Sequence, residues 1–265
     1  KAMHRSGNIY LRVNTSLTSY EKFVDALIDN NIPHKLIPKI DYQEKSYPLN
    51  AIQLYQPTGM HRDFFERNQR FYEIQDIGSQ LLTGCVLLQD VKTIIETCAG
   101  NGGKTAHILD LTRIENPLHI CFDSERKKLE HLTSRISKWK DHKVVVELSK
   151  DKEIAKYLNM ADILYMDVPC TGSGTLRRQA DLKYRISTKI LEEKVALQRK
   201  LIQQFHPTLK VGGKLVYTTC SLFRDENENQ LNYIESQGYR LDFIQSLEPR
   251  HYDGDGFFIA ILEKK

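Results

Sequence analysis

The sequence predicts an α/β protein in which a mostly parallel β-sheet carries helices on both faces and a small α+β unit precedes it. From residue 75 onward, apolar runs of strand length alternate with helical segments, as expected of a parallel sheet. A glycine-rich turn at 96–105 joins the first of these strands to its helix. The first seventy residues lack this alternation and end in a polar stretch at 61–70. We therefore expect two domains, 1–72 and 73–265.

The small amino-terminal unit is predicted to combine three short strands with one helix. Residues 9–13 alternate like a strand, and 35–40 and 51–55 are two further strand candidates. Thr18 and Glu21 have capping-box spacing ahead of an amphipathic helix that Pro33 ends. Polar residues of the first strand can face an RNA, but the alternation of a strand explains them equally well: Tyr10, Arg12 and Asn14.

The larger unit is predicted element by element from its alternating pattern. Strands are expected at 91–96, 119–122, 144–148, 163–167, 214–218, 241–244 and 257–262. Helices are expected at 79–88, at 104–111, after Asp123 through Ser137, at 189–209 and from Glu226.

Composition limits the classes of function. With 265 residues and 40% hydrophobic content, the chain can bury a core. Lys and Arg total 38 against 34 Asp and Glu, and this net charge of +4 permits a nucleic-acid partner without requiring one. No apolar run reaches the roughly 20 residues of a membrane helix, so we expect no membrane partner. The odd number and wide spacing of the cysteines, without a signal region, favour the reducing cytoplasm. The five cysteines form no C-x-x-C pair, so we expect reduced thiols and no metal site.

The glycine-rich turn allows three interpretations. Residues 103–105 match the end of a P-loop motif, but Cys98 stands where its first glycine belongs. A dinucleotide-binding G-x-G-x-x-G cannot be placed here either. We favour a nucleoside-type cofactor such as S-adenosylmethionine, because Asp123 ends the next strand and its carboxylate can accept the ribose hydroxyls. The simpler alternative is a tight turn, with Asp123 capping the following helix.

Two cysteines follow buried strands and point to covalent chemistry. Cys170 comes three residues after Asp167, and Cys220 follows the strand at 214–218. In an open α/β sheet, the crevice beyond the strand ends is where ligands bind. Two thiols and a carboxylate in that crevice suit attack on an electrophilic substrate. Alternatively, both cysteines are inert core thiols.

A series of short motifs runs through the chain in the order found in one enzyme family. They are Gln75–Gln80 (Q-D-x-x-S), Cys98–Lys104 (C-A-A-P-G-G-K), Asp167–Gly174 (D-A-P-C-S-G-x-G), Tyr217–Ser221 (Y-S-T-C-S), Glu226–Glu228 (E-N-E) and Asp255–Ala260 (D-G-F-F-x-A). With them, the chain resembles the RsmB-like (Sun) family of RNA 5-methylcytosine methyltransferases. Departures are Glu96 in place of Asp, and Gly100-Asn101 in place of Ala-Pro.

The resemblance implies a fold, an activity and a cofactor. The fold is a Rossmann-like class I methyltransferase domain with a seven-stranded, mostly parallel sheet, preceded by a small RNA-recognition-type domain. The activity is S-adenosylmethionine-dependent methylation of carbon 5 of a cytosine in RNA, with ribosomal RNA as the expected substrate and rRNA processing as the expected context. Alternatives are a transfer-RNA cytosine methyltransferase and a non-catalytic RNA-binding factor with the same fold.

The resemblance also assigns the catalytic residues. Cys220 is the attacking thiol, Cys170 helps to release the product, Asp167 hydrogen-bonds near N3 of the base, and Lys104 lowers a cysteine pKa or orients Asp167. In DNA cytosine methyltransferases, the nearest rivals, the Pro-Cys motif would make Cys170 the attacker. The expected cofactor contacts are Cys98, Ala99, Gly100, Asn101, Gly102, Gly103, Lys104, Asp123, Lys128, Asp151 and Asp167, with Ser149 an alternative to Asp151.

A local group of basic residues is the expected RNA contact. Arg177 and Arg178 directly follow the first cysteine motif, and Lys183 and Arg185 come shortly after. The basic residues of the 126–143 region fit a solvated helix face better. The target base is expected to be unstacked or flipped. We expect a monomer that binds RNA and no metal.

Overall fold

The chain forms two β-sheets, each with its own helices. The computed structural model describes residues 8–42, 45–86, 90–112 and 116–265. A four-stranded sheet is built from the first quarter of the chain, and a seven-stranded sheet from the rest. In the described residues, no helix is long and apolar enough to cross a membrane.

The small sheet is antiparallel throughout, with the strand order β2-β3-β1-β4. Its chain order is β-α-β-β-α-β, the ferredoxin-like arrangement. This agrees with the small α+β domain expected from the sequence. Its elements are β1 (Ile9–Val13), α1 (Tyr20–Asp29), β2 (His34–Tyr42), β3 (Lys45–Leu54), α2 (Arg62–Arg67) and β4 (Tyr72–Ile74).

Three details of this unit differ from the sequence-based expectation. Helix α1 is capped by Ser19, whose side chain accepts from the amide of Lys22, and not by a Thr18 capping box. The polar stretch at 61–70 contains helix α2, because Phe64 and Phe65 are buried in the core of the small unit. Strand β4 carries the small sheet to Ile74, so the proposed division after residue 72 falls within a strand.

The large sheet is parallel except for one strand, as predicted. Its order is β10-β11-β9-β8-β5-β6-β7, and only β11 runs against its neighbours. The strands are β5 (Thr93–Thr97), β6 (Leu118–Asp123), β7 (Val144–Leu148), β8 (Ala161–Asp167), β9 (Leu209–Thr219), β10 (Tyr239–Leu247) and β11 (Phe257–Lys264).

The helices of this unit cover both faces of the sheet and leave a crevice at its carboxyl edge. The chain leaves central strand β5 toward β6 on one side, while β8 pairs with β5 on the other. Such a reversal of strand order opens a ligand crevice at the strand ends. The helices are α3 (Ile77–Gly84), α4 (Gly103–Leu111), α5 (Arg126–Ile136), α6 (Asp151–Ile154), α7 (Leu182–Arg185), α8 (Thr188–Phe205) and α9 (Glu228–Ser236).

Two helix ends differ from the prediction. The helix expected at 79–88 ends at Gly84, and residues 87–89 lie outside the described part of the chain. The helix expected to reach Leu209 ends at Phe205, because Pro207 follows and Leu209 already begins β9.

A polar seam joins the two units. Asp110 of α4 accepts hydrogen bonds from the amide and hydroxyl of Thr15 (3.0 Å each) and from those of Ser16 (2.7 and 2.5 Å). Arg12 lies 3.7 Å from the same carboxylate. Tyr10, Arg12 and Asn14 are 2%, 4% and 0% exposed. Contacts with the large unit cover Tyr10 and Arg12, whereas Asn14 donates to the carbonyl of Arg70 within the small unit at 2.8 Å. None of the three therefore offers a surface to an RNA.

Candidate active site

The two cysteines of the sequence motifs meet at the carboxyl edge of the large sheet. Strands β8 and β9 are parallel neighbours, and Asp167 stands opposite Thr218. Because the strands end together, the loops after them place Cys170 Sγ 3.2 Å from Cys220 Sγ. This is hydrogen-bond distance for a thiol and a second sulfur, and the thiols are half-buried rather than sealed in the core.

The cysteine loops are packed directly against each other. The amide of Gly174 donates to the carbonyl of Cys220 at 2.9 Å, and the amide of Gly256 donates to the carbonyl of Gly174 at 2.9 Å. A Cβ atom at Gly174 would lie 2.1 Å from the Gly256 carbonyl oxygen. The glycine is therefore required by the close approach of three backbone segments.

The hydrogen bond between the thiols makes them chemically different. The bond donated by Cys170 lowers the pKa of Cys220 and outweighs burial, and the charge of Lys104 acts in the same direction. The same bond, together with burial, raises the pKa of Cys170. Of the pair, Cys220 is therefore the thiol that more readily becomes the nucleophilic thiolate.

Lys104 and Asp167 form an ion pair next to the thiols. The Lys104 Nζ–Asp167 Oδ2 distance is 2.5 Å, and the hydroxyl of Thr218 donates to Asp167 Oδ1 at 3.1 Å. Burial acts to lower the pKa of Lys104, but the charge of Asp167, its hydrogen bond to Lys104 and the nearby Tyr165 and Cys220 together raise that pKa. Lys104 thus stays an ammonium, and both oxygens of Asp167 accept hydrogen bonds.

The glycine-rich turn has the shape expected of a nucleoside site. Gly100 and Gly102 have φ angles of 58° and 80°, and Gly102 caps α4. Asp123 Oδ2 accepts from the amide of Gly100 at 2.9 Å, and its Oδ1 from the amide of Glu125 at 2.9 Å. The end of β6 therefore fixes the turn, with backbone amides and a carboxylate beside the same cleft.

That cleft has a volume of about 790 Å³ and reaches from the glycine-rich turn to both thiols. Ser149 lines it, whereas Asp151 is exposed and accepts from Gln204 Nε2 at 2.8 Å. Lys128 lines the cleft with its ammonium 2.5 Å from Glu125. Other expected cofactor residues on the lining are Cys98, Gly100, Lys104, Asp123 and Asp167, while Ala99, Asn101, Gly102 and Gly103 form the turn and the start of α4.

The basic residues expected to contact RNA fall into different environments. The side chain of Arg177 is only 4% exposed and donates to Gly254 O and Asp253 Oδ1, both at 3.0 Å. Its guanidinium binds other parts of the protein, so Arg177 is not on the surface available to an RNA. Arg178 is 46% exposed and lines the cleft, while Asp255 accepts from its Nε at 2.5 Å. Lys183 and Arg185 are exposed on α7.

A second cavity of about 400 Å³ adjoins the cleft at the thiols. Arg185 lines it together with Cys170 and Cys220. Its apolar wall comes from α7, the segment after it and the start of α8: Leu182, Ile186 and Ile190. Both thiols are therefore accessible from this cavity as well as from the cleft at the glycine-rich turn.

Two acids near the thiols had no site role predicted from the sequence. Asp76 caps α3, lines the cleft and accepts from the amide of Asp255 at 3.2 Å. Burial and the charge of Asp255 raise the pKa of Asp76 to about 6. Glu226 is fully buried beside the Cys170 loop. Their motifs were recognised, but the roles depend on contacts between residues far apart in sequence.

One further group of metal-binding side chains lies between β5 and β6. Glu96, His119 and Cys121 are buried, and their ligand atoms lie within 4.8 Å of one another. Glu96 Oε2 is 3.0 Å from His119 Nε2, but neither ring nitrogen of His119 makes a hydrogen bond within the described part of the chain. The expectation that the protein binds no metal stays a prediction.

Comparison with known proteins gives consistent results. The model of the family described as 16S rRNA methyltransferase RsmB/F matches residues 85–263. Ribosomal RNA small subunit methyltransferase B of Proteus mirabilis is 30% identical over 260 residues, a match covering 97% of this chain and 59% of that protein. The chain thus spans about three-fifths of the length of this relative.

Two solved structures share the fold of nearly the whole chain. NSun6 from Pyrococcus horikoshii, solved with SFG, gives a TM-score of 0.80 at 19% identity and covers 99% of this chain and 92% of its own. A methyltransferase homolog protein from Pyrococcus horikoshii gives a TM-score of 0.81 at 23% identity and covers 100% of this chain and 88% of its own. Both units and their arrangement therefore recur in these structures.

Proposed function

Because this chain belongs to the 16S rRNA methyltransferase RsmB/F family, we propose that it transfers a methyl group from S-adenosylmethionine to carbon 5 of a cytosine in ribosomal RNA. One observation carries the proposal: two thiols 3.2 Å apart open onto the cleft that also contains the glycine-rich turn and Asp123. Cytosine methylation at carbon 5 needs a nucleophile for the ring beside a methyl donor, and this cleft has room for both.

The donor set of the cleft fits S-adenosylmethionine. Asp123 offers a carboxylate for ribose hydroxyls, and the backbone around Gly100 and Gly102 approaches the cleft without side chains. Ser149, the alternative to Asp151, lines the cleft, and we assign it to the adenine of the cofactor. When bound, the cofactor supplies the electrophilic methyl group.

Cys220 activates the base by covalent addition. Its thiolate would bond to carbon 6 of cytosine as the 5,6 double bond opens. Carbon 5 would then be nucleophilic enough to take the methyl group that S-adenosylmethionine would supply, with S-adenosylhomocysteine as the leaving group. Loss of the proton from carbon 5 to solvent water would restore the 5,6 double bond as the sulfur–carbon bond breaks and the Cys220 thiolate leaves. We assign Cys170 to this release step, because its S–H can stabilise the departing Cys220 thiolate over 3.2 Å.

Asp167 orients the target base. In the free protein both of its oxygens accept hydrogen bonds, so its carboxylate is suited to accept from the base rather than to donate near N3. The exocyclic amino group of cytosine is a donor, which uracil lacks at this position. Lys104 holds the carboxylate at 2.5 Å and contributes positive charge beside the Cys220 thiolate.

RNA is held by basic residues at the mouth of the site. We assign this role to Arg178, which lines the cleft, and to Lys183 and Arg185 on α7. Arg177 has an indirect role, because it donates hydrogen bonds to Asp253 and Gly254 and so holds the loop that contains them. We further propose that the protein acts as a monomer in the cytoplasm, and that the base is flipped out of its stack to reach the thiols.

Methyl transfer to defined RNAs tests the proposal. The protein is incubated with labelled S-adenosylmethionine and either 16S ribosomal RNA or transfer RNA, and bisulfite sequencing then locates the product. We expect 5-methylcytosine in the ribosomal RNA only, and none with Cys220→Ala. Methylation of transfer RNA alone would overturn the choice of substrate. Cofactor binding without transfer to either RNA would favour a non-catalytic RNA-binding factor.

A further inference from the structure

Glu226 connects the Cys170 loop to the helical layer. Its Oε1 accepts from the amide of Thr171 at 2.8 Å and from Gln198 Nε2 at 3.1 Å, and its Oε2 accepts from the hydroxyl of Thr171 at 2.6 Å. Glu226 and Gln198 are both 0% exposed. Every partner is a donor, which is the pattern of an ionised carboxylate. A buried negative charge therefore lies one residue away from Cys170.

The same acid is tied to the Cys220 side of the site. The hydroxyl of Tyr217 donates to the Glu226 carbonyl at 2.8 Å. The next residue, Asn227, donates to the carbonyl of Ser221 at 3.0 Å and accepts from Thr219 at 2.6 Å. Glu226 thus holds a fixed position relative to both thiols.

Other charges near the thiols do not separate the pKa values of Cys170 and Cys220 in the same way. Asp167 raises the pKa of Cys220 and Lys104 lowers it, and since these two residues form an ion pair their effects oppose each other. The hydrogen bond to Cys220 and burial raise the pKa of Cys170, and the charge of Glu226, held beside Thr171, acts in the same direction. Among the described residues, further charged or titratable groups near the thiols are Arg178 and Tyr217, which interact with one thiol each, and Arg185 and Lys194, which line the second cavity.

We propose that Glu226 is a positioning residue that decides which thiol keeps the proton. Its carboxylate makes a second negative charge at Cys170 costly, so one proton stays on Cys170 Sγ and the other leaves Cys220 for solvent. Cys170 then donates its S–H to the Cys220 thiolate across 3.2 Å. The catalytic role of this proton distribution rests on the proposed function. The distribution itself, with the proton on Cys170 and the thiolate on Cys220, can be tested without RNA or cofactor.

Site-resolved alkylation tests the proposal without RNA or cofactor. Iodoacetamide is applied briefly to the folded protein between pH 5.5 and 9.5, and mass spectrometry quantifies modified Cys170 and Cys220. In the wild type, Cys220 should react at the lower pH. Glu226→Gln keeps the shape of the side chain and removes its charge, so the Cys170-to-Cys220 ratio should rise about tenfold, the factor that one pKa unit represents.

Two variants separate charge from shape. Glu226→Asp keeps the charge, and its ratio should stay within about twofold of wild type, well inside the tenfold effect of one pKa unit. Glu228→Gln removes the same type of charge two residues away, where Ser246 Oγ approaches Glu228 Oε1 at 3.4 Å. Its Cys170-to-Cys220 alkylation ratio should equal that of the wild type. An unchanged ratio in folded Glu226→Gln, or an equal rise in Glu228→Gln, would overturn the proposal.

A third variant tests the same charge if Glu226→Gln does not fold. In Cys220→Ala, the partner thiol is gone but Glu226 remains. Cys170 should therefore still resist alkylation at pH values below about 8.5, where an ordinary thiol begins to ionise. Ready alkylation of Cys170 near neutral pH in this variant would overturn the proposal. A wild-type protein that shows the predicted alkylation order but methylates no RNA would instead overturn only the proposed function.

Discussion

Removing the carboxylate of Asp110 should destabilise the protein through the seam between its two units. Asp110→Ala removes the acceptor of four hydrogen bonds from Thr15 and Ser16 and the ionic partner of Arg12, whose side chain is 5% exposed. Breaking a buried charge pair costs about 3–5 kcal/mol, because the remaining charge stays buried without its partner. That is a large fraction of a typical folding free energy.

Urea unfolding can measure this loss with a probe at the seam itself. The single tryptophan, Trp139, donates from its indole nitrogen to Ser16 Oγ at 2.8 Å, so its fluorescence reports on the seam. A loss of 3–5 kcal/mol should lower the urea midpoint by about 1–2 M. The matched control, Asp25→Ala on the exposed face of α1, should change stability by no more than about 0.5 kcal/mol. A loss below about 1 kcal/mol for Asp110→Ala would refute the reasoning, because it would mean that the seam is not a buried charge pair.

Three further outcomes are expected. Cys220→Ala should abolish methyl transfer, whereas Cys170→Ala should accumulate a covalent enzyme–RNA adduct on a denaturing gel; the opposite pattern would exchange their roles. The raised pKa of Asp76, about 6 against an ordinary 3.8, means that the folded protein keeps a proton longer than the unfolded chain, so stability from this group falls as pH rises from about 4 to 6. Asp76→Asn should remove that fall in pH-dependent urea titrations and add about 1–3 kcal/mol at pH 7.5, and a steeper fall would contradict the assignment. Gly174→Ala should cost about 1–3 kcal/mol in thermal unfolding and lower methyl transfer, since its Cβ would meet a carbonyl oxygen at 2.1 Å, while Gly84→Ala, with nothing within 4 Å, should change neither.

The meeting of the two cysteines was predictable because it depends on periodic features of the sequence. Apolar runs before Asp167 and before Cys220 identify buried strands, and parallel neighbours end at the same edge of a sheet. The turn at Gly100 and the carboxylate of Asp123 follow from the same logic on β5 and β6. The position of the cleft therefore follows from the sequence pattern. Which residues of the glycine-rich turn line the cleft does not.

What the sequence did not reveal are the contacts between distant segments. Arg177 and Arg178 are adjacent and chemically alike, yet only Arg177 is buried, because Asp253 and Gly254 arrive from 76 and 77 residues away. Tyr10 and Arg12 look like surface residues of an isolated strand, and only the docked large unit shows why they are buried. Periodicity predicts which face of an element is covered, but not by what.

Strand β11 has a consequence for how this protein is made. Although it lies near the carboxyl-terminal end of the sequence, β11 is an interior strand that separates β9 from β10 and pairs with both. During synthesis, β9 emerges from the ribosome long before its neighbour exists, and its backbone groups on that side have no partner until then. A nascent chain that stalls before residue 257 would therefore present an open edge and depend on chaperones to avoid association with other chains.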